Sequence, residues 1–277
     1  MNIAILSRRK EIYSTRRLVQ AAAKLGHSVV VLDPLKCHIH LDRGVYHVYH
    51  RGKPLEGLDV ILPRIGASVT EYGLAVVRQF ELMGVPTVNS ARAIARSRDK
   101  LRCLQMMADQ EVHIPKTYLC RSPSFAKHAI ALVGGLPVIL KLQHGTQGIG
   151  VILADSYLLV IGDRVVAAMR RVAQAGEFRS NLHRGGTGEP VQLTPEQEVV
   201  ALKAVRVLGL EVAGVDLLEG KNSAILMEVN SSPGIKGLEK ATGKDIAQEI
   251  IECAVRLALA GKGPGEPQGT LNVDPGT

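Results

Sequence analysis

The 277-residue chain has no tryptophan, three phenylalanines and six tyrosines. Its core must therefore be aliphatic, as in α/β proteins whose buried strands are runs of Val, Ile and Leu. Aromatic residues are not interleaved with basic ones as on a base-stacking platform, so direct DNA binding is not expected. Cysteine is scarce as well. Cys37, Cys103, Cys120 and Cys253 are far apart and form no CxxC, which excludes a disulfide scaffold and points to buried thiols of a reducing compartment. No apolar run is long enough to span a bilayer, and Asn2-Ile3-Ala4-Ile5-Leu6 enters a strand without signal-peptide architecture. No membrane partner is expected, and a cytoplasmic address follows.

Further absences narrow the chemistry. The first strand-to-helix turn, Ser7-Arg8-Arg9-Lys10, holds no glycine, so the GxGxxG fingerprint of nicotinamide and flavin enzymes is missing from its place. His38, His40, His47 and His50 have no acid or cysteine completing a ligand set at usual spacing, and no metal role is expected of them. No Ser-His-Asp or Cys-His arrangement emerges, and Ser7 lacks the context of a nucleophile elbow.

What is present begins with charge. Thirty-four Lys and Arg against 26 Asp and Glu give +8, which suits acidic partners: a nucleotide, an acidic peptide or a ribonucleoprotein surface. The alternative is a basic but otherwise ordinary enzyme. Residues 1–90 alternate short aliphatic strands (Asn2–Leu6, Ser28–Leu32, Asp59–Leu62) with helices over Glu11–Leu25 and Thr70–Met83, a βαβ pattern with a small parallel sheet. A basic helix is expected over Ala91–Ala108. A second α/β unit follows, with strands at Pro137–Leu142 and Val151–Ala154, a hairpin turning at Gly162-Asp163, a helix over Thr194–Leu208 capped by Thr194 with Pro195 in its first turn, and a last helix over Lys244–Ala260. The expected organisation is an α/β domain over 1–90, a second domain over 91–260 and a disordered tail over 261–277, where eight of seventeen residues are Gly or Pro.

The most informative segment is Gly214-Val215-Asp216 … Met227-Glu228-Val229-Asn230. Asp216 and Glu228 are acids inside apolar runs, where a carboxylate is costly unless paired. Val212–Leu218 and Ala224–Val229 read as a hairpin. A three-residue loop at Gly220–Asn222 places Asp216 opposite Leu226, and alternation then puts Asp216, Glu228 and Asn230 on one face. Converging oxygens of this kind suit Mg²⁺, which takes one or two carboxylates and fills its shell with water and phosphate. The competing reading is a pair of edge acids facing solvent.

Phosphate-handling candidates lie upstream. Lys141 sits in an apolar strand and needs an anionic partner, either a nucleotide phosphate or a structural acid. Gly145, Gly148 and Gly150 form a flap between strands, where glycine lets backbone N–H groups approach phosphates closely. Arg171 and the loop containing Arg179, Ser180, Asn181 and Arg184, ending in Gly185-Gly186, can grip phosphate or carboxylate, or be a solvated basic loop. Lys100, at the end of the basic helix, can reach a nucleotide or remain a solvated charge.

This order of strand lysine, glycine flap, basic loop and Asp … Glu-x-Asn resembles the ATP-grasp superfamily of carboxylate–amine ligases. The closer resemblance is to its RimK-like branch, the ribosomal-protein glutamate ligases. It is carried by Asn2–Ser7, Leu62–Gly66 (LPRIG), Ala93–Leu101 (AIARSRDKL), Lys141–Gly150, Phe178–Gly186 (FRSNLHRGG) and Ala213–Gly234. The resemblance implies a pre-ATP-grasp domain followed by an ATP-grasp fold of two α+β subdomains, and a homo-oligomer. It implies ATP contacts from Lys141, Arg179, Ser180 and Asn181, and two Mg²⁺ ions, with Mn²⁺ as an alternative, on Asp216, Glu228 and Asn230. It further implies addition of free glutamate to the C-terminus of a ribosomal protein through an acylphosphate, with Arg179 holding phosphate and Arg171 stabilising the acylphosphate or its tetrahedral successor. One departure stands out. Val151–Ser156 runs directly into Tyr157–Ile161, and roughly thirty residues, including the family's adenine-binding hinge, have no counterpart near position 156. Two rival expectations follow: a catalytically impaired relative that docks on a ribosomal protein, and a ligase for a small amino-acid metabolite.

Overall fold

The structure is a computed structural model and describes residues 1–136, 138, 139, 156–172, 187–220 and 223–261. In chain order it contains β1 (Asn2–Leu6), α1 (Tyr13–Lys24), β2 (Ser28–Leu32), β3 (Cys37–Asp42), β4 (Val45–His50), β5 (Lys53–Pro54), β6 (Val60–Pro63), α2 (Thr70–Leu82), α3 (Ala91–Arg98), α4 (Lys100–Asp109) and α5 (Ala126–Val133). Then come β7 (Ser156–Ile161), β8 (Arg164–Val172), β9 (Thr187–Pro190), α6 (Pro195–Leu208), β10 (Val212–Glu219), β11 (Ala224–Asn230), α7 (Lys236–Thr242) and α8 (Ile246–Gly261). No helix among the described residues is long and apolar enough to cross a membrane.

The N-terminal parallel sheet runs β2-β1-β6, as the βαβ pattern predicts. Between β2 and β6 the chain inserts an antiparallel sheet, β3-β4-β5, which the sequence reading missed. Its strands carry histidines, which have little strand preference of their own, and its inward side packs on α2. His38, His40, His47 and Tyr49 share its outer face by register, and His40 and His47 stack with ring centroids 6.0 Å apart. Three histidine rings and one tyrosine ring are thus gathered on one surface.

The predicted helix over Ala91–Ala108 is two helices. Asp99 ends α3 and caps α4, its carboxylate accepting from Arg102 N at 3.0 Å. Helix propensity runs on through Arg98-Asp99-Lys100, but an Asp side chain prefers to satisfy a free N-terminal amide. The capping box at Thr194 and Gln197 is present as expected.

The second sheet runs β11-β10-β7-β8-β9, with every described pairing antiparallel. One of its faces is sealed by α4 and α6 through Leu158, Val160, Ala213, Val215, Leu217, Leu226 and Val229. The other carries Leu159, Ile161 and Met169 into a core shared with α8, α1, β1 and β6. That continuous core fastens the N-terminal unit to the sheet. Polar bonds add to it: Arg17 bridges Glu239 and Asp245 (3.2 and 2.9 Å), and Tyr13 Oη donates to Glu239 at 2.8 Å.

Candidate active site

The site grows from the β10–β11 hairpin. Glu219 pairs with Ala224, so the loop has four residues rather than three, and a bulge interrupts the register between Asp216 and Leu217. Asp216 therefore stands opposite Glu228, not Leu226. Each departure shifts the register by one residue, and together they preserve parity, so Asp216, Glu228 and Asn230 do share a face. The bulge follows from Met227 being an extra residue between Leu226 and Glu228. Leu226 N bonds outward to His113 O at 2.8 Å while Val229 returns to the α6 side. Bulges re-aim side chains in this way beside active sites.

Asp216 is 5% exposed, and Glu228 and Asn230 are half-buried. Tyr157 flanks Asp216 on β7 and lies over Gly214. A Cβ at Gly214 would sit 2.2 Å from the phenolic oxygen, so only glycine fits there. Asn230 Oδ1 accepts from Ser232 N at 2.9 Å, which folds the chain after β11 into a tight turn. Asn89, held at positive φ, fixes the same turn from the N-terminal side. Its Nδ2 donates to Val212 O and Ser231 O (2.7 and 2.9 Å), and its Oδ1 accepts from Glu211 N and Val212 N (2.7 and 3.0 Å). A fully satisfied buried amide of this kind over-determines the geometry around it.

Two arginines that the sequence reading did not single out close the site from the N-terminal side. Arg64 follows β6 and donates to Pro233 O at 2.6 Å; Arg98 ends α3 and donates to Ile65 O at 2.5 Å. Burial pushes the Arg64 guanidinium down to about 10, with Tyr157 opposing and Arg98 adding to the shift. Burial also lowers Arg98, against the attraction of Glu228. Only the quoted segments LPRIG and AIARSRDKL hinted at these residues, because the approach of Arg64 to Pro233 and of Arg98 to Glu228 is entirely non-local.

The donor set fits a hard cation. Two carboxylates face each other across a ladder, an amide oxygen lies two residues on, and the Ser231 and Ser232 hydroxyls are buried beside them without a hydrogen-bond partner among the described residues. Among the described residues no group of three or more His, Cys, Asp or Glu could hold a metal, so such an ion would rest on this mixed set. Lys100 is half-buried at the first position of α4. The Arg171 backbone pairs with Gly188 on the far side of the sheet, and its side chain lies outside the described residues. Lys141, Gly145, Gly148, Gly150, Arg179, Ser180 and Asn181 also lie outside them, as do the expected strand at Val151–Ala154, the tail from 262 and all of the expected strand at Pro137–Leu142 except Val138 and Ile139, which are not in a strand.

Comparison with known proteins identifies the scaffold. Residues 1–94 match the model of the RimK PreATP-grasp domain, and residues 97–158 and 154–254 match the RimK-like ATP-grasp domain. The chain belongs to the RimK family. RimK-family relatives include the probable alpha-L-glutamate ligase of Azotobacter vinelandii, 46% identical over 91% of this chain and 94% of that one, and its namesake from Pseudoalteromonas translucida, 47% identical over 93% and 96%. Among solved structures, the ATP-grasp ligase PsnB complexed with a minimal precursor superposes with TM-score 0.73 at 18% identity, over 92% of this chain and 98% of that one. A RimK domain protein from Sphaerobacter thermophilus does so at 0.68 and 20%, over 92% and 100%. These two show the shared ATP-grasp fold. The RimK-like model matches in two stretches that meet at 154–158, where the sequence departs from its family. The Azotobacter alignment spans 284 positions while using 91% of this chain, about 252 residues, so about thirty aligned positions have no residue here.

Proposed function

We propose that this chain is an ATP-dependent ligase that joins glutamate by an amide bond to the C-terminal carboxylate of a ribosomal protein, in the cytoplasm. The observation that carries this reading is the buried Asp216 opposite Glu228, with Asn230 on the same face, in a chain of the RimK family. The acceptor carboxylate takes the γ-phosphoryl group of ATP to give an acylphosphate and ADP. The amine of glutamate then displaces phosphate. Mg²⁺ held by Asp216, Glu228 and Asn230 would neutralise charge on the transferring phosphoryl group. Asn89 and the Asn230–Ser232 turn hold these ligands in place, and Tyr157 walls them from the aliphatic core. No nucleophilic side chain is required, which agrees with the absence of a triad. Lys141, Arg179 and Arg171 keep the phosphate and acylphosphate roles that the resemblance gives them.

ADP release is the test, run with Mg·ATP, glutamate and a panel of acceptor peptides and free amino acids, with mass spectrometry of the products. Glutamate-dependent ADP release and a mass gain on a ribosomal-protein C-terminal peptide support the reading. Turnover only with free amino acids moves it to the small-metabolite ligase. The two-piece family match at 154–158 favours one other reading, an impaired relative that docks on ribosomal protein. It predicts peptide binding without turnover, because adenine's polar edges lose their hinge partners.

A further inference from the structure

Four buried polar groups around the end of β11 have no hydrogen-bond partner among the described residues: Arg64 Nε, Arg98 Nε, Ser231 Oγ and Ser232 Oγ. They are contiguous. Arg64 is tied to the Pro233 carbonyl next to Ser232, and Arg98 to the Ile65 carbonyl next to Arg64. Each arginine senses the other's neighbourhood: Arg64 is lowered by Arg98, and Arg98 is attracted by Glu228. Each guanidinium donates its Nη2 to a backbone carbonyl and leaves its Nε–H without a hydrogen-bond partner among the described residues. A desolvated cation without a counter-charge is expensive, and two side by side are more so. Glu228 is the carboxylate that attracts Arg98, and in the proposed function it serves the metal. Among the described residues, the two guanidiniums are therefore short of one anion.

We propose that Arg64 and Arg98 form a fork that binds a substrate carboxylate, with the Ser231 and Ser232 hydroxyls as accessory donors. The inference rests on the ligase reading and adds a residue-level substrate site to it. The two free Nε–H groups, one from each arginine, are charged donors that suit the two oxygens of a carboxylate. The fork lies on the N-terminal unit and the linker, whereas the metal ligands lie on the hairpin. Two carboxylates qualify, that of the acceptor chain end and that of glutamate.

The experiment is calorimetry on the full chain with Mg²⁺ and a non-hydrolysable ATP analogue. L-glutamate and a short peptide ending in a free glutamate are titrated separately into the unmodified protein, Arg98→Gln, Arg98→Lys and Arg64→Lys. Circular dichroism melts establish that each variant is folded. Charged hydrogen bonds of this kind predict roughly 10–100-fold weaker binding of one of the two carboxylates in Arg98→Gln. Arg98→Lys recovers part of it, because an ammonium lacks the fork. The probe that weakens names the source, while affinity for the ATP analogue stays within about twofold of the unmodified protein. Weaker ATP-analogue binding with unchanged carboxylate binding makes the fork a phosphate site and overturns the proposal. So does unmodified protein that binds neither probe, or a folded Arg98→Gln that binds both as well as the parent. Failure of the ligase reading looks different: carboxylate binding that depends on Arg98, with no ADP release from any acceptor.

Discussion

The two faces of the sheet β11-β10-β7-β8-β9 are built to opposite rules from the same strands. Toward α4 and α6, Val215, Leu217, Leu158 and Leu226 are sealed and purely aliphatic. Toward α8 and the N-terminal unit, Leu159, Ile161 and Met169 enter a second core, but the same face also carries Asp216 and Tyr157, which are buried, and Glu228 and Asn230, which are half-buried. Alternation lets adjacent residues such as Asp216 and Leu217 do unrelated jobs. The aliphatic face supplies stability by burial, and the polar face spends part of it on holding desolvated charge.

The comparison breaks first, and most severely, at this neighbouring pair. Asp216→Asn keeps the shape and removes the charge; ligase turnover is expected to fall about 10²–10³-fold, the scale of removing one preorganised electrostatic contact from a reacting centre. Leu217→Ala is expected to cost about 2–5 kcal/mol of stability by urea denaturation while the folded fraction keeps its affinity for Mg·ATP. If Leu217→Ala abolished nucleotide binding in folded protein, or Asp216→Asn left turnover intact, the division of labour would be wrong.

Gly214→Ala attacks the boundary between the faces. Its Cβ would meet the Tyr157 hydroxyl at 2.2 Å, and the ring cannot retreat into a packed core without moving β7. A cost of about 1–3 kcal/mol is expected. The companion Gly214→Ala/Tyr157→Phe variant, which lacks the hydroxyl, should recover part of it in the same urea series. No recovery would mean that the strain comes from the backbone rather than from the ring.

The legibility of these features follows the range of the interactions that cause them. The βαβ unit, the Thr194 capping box and the face shared by Asp216, Glu228 and Asn230 depend on spacing within a few residues, and all could be read from the sequence. The register could not. A four-residue loop and a bulge at Met227 are each a one-residue choice made by packing against His113 and α6, and only their combined parity was recoverable. The helix break at Asp99 is a cap hidden inside good helix formers. The strands holding His38, His40, His47 and His50 are fixed by α2 rather than by their own preferences. Arg64 and Arg98 are the extreme case. They stand 34 positions apart, and the approach of Arg64 to Pro233 and of Arg98 to Glu228 exists only once the N-terminal unit has docked on the sheet.

The smallest expected effect tests whether the two faces are electrically separate. Cys103, on α4, belongs to the aliphatic core, and burial first, then Glu228 and Asp99, push its thiol from the ordinary 9 up to about 12. The folded chain therefore keeps Cys103 protonated where an unfolded chain would ionise. The stability this thiol contributes is full below about pH 9 and is lost as pH rises through about 12. Glu228→Gln removes the second of the three influences and leaves burial in place. Alkylation of Cys103 near pH 9.5 should then accelerate a few-fold, because the thiolate is the reacting species. Exposed Cys120 in the same sample should react at an unchanged rate and serves as the internal reference. An unchanged Cys103 rate, with equal stability of both proteins, would mean that the charge of Glu228 does not cross the strand. The polar face would then be insulated from the core that supports it.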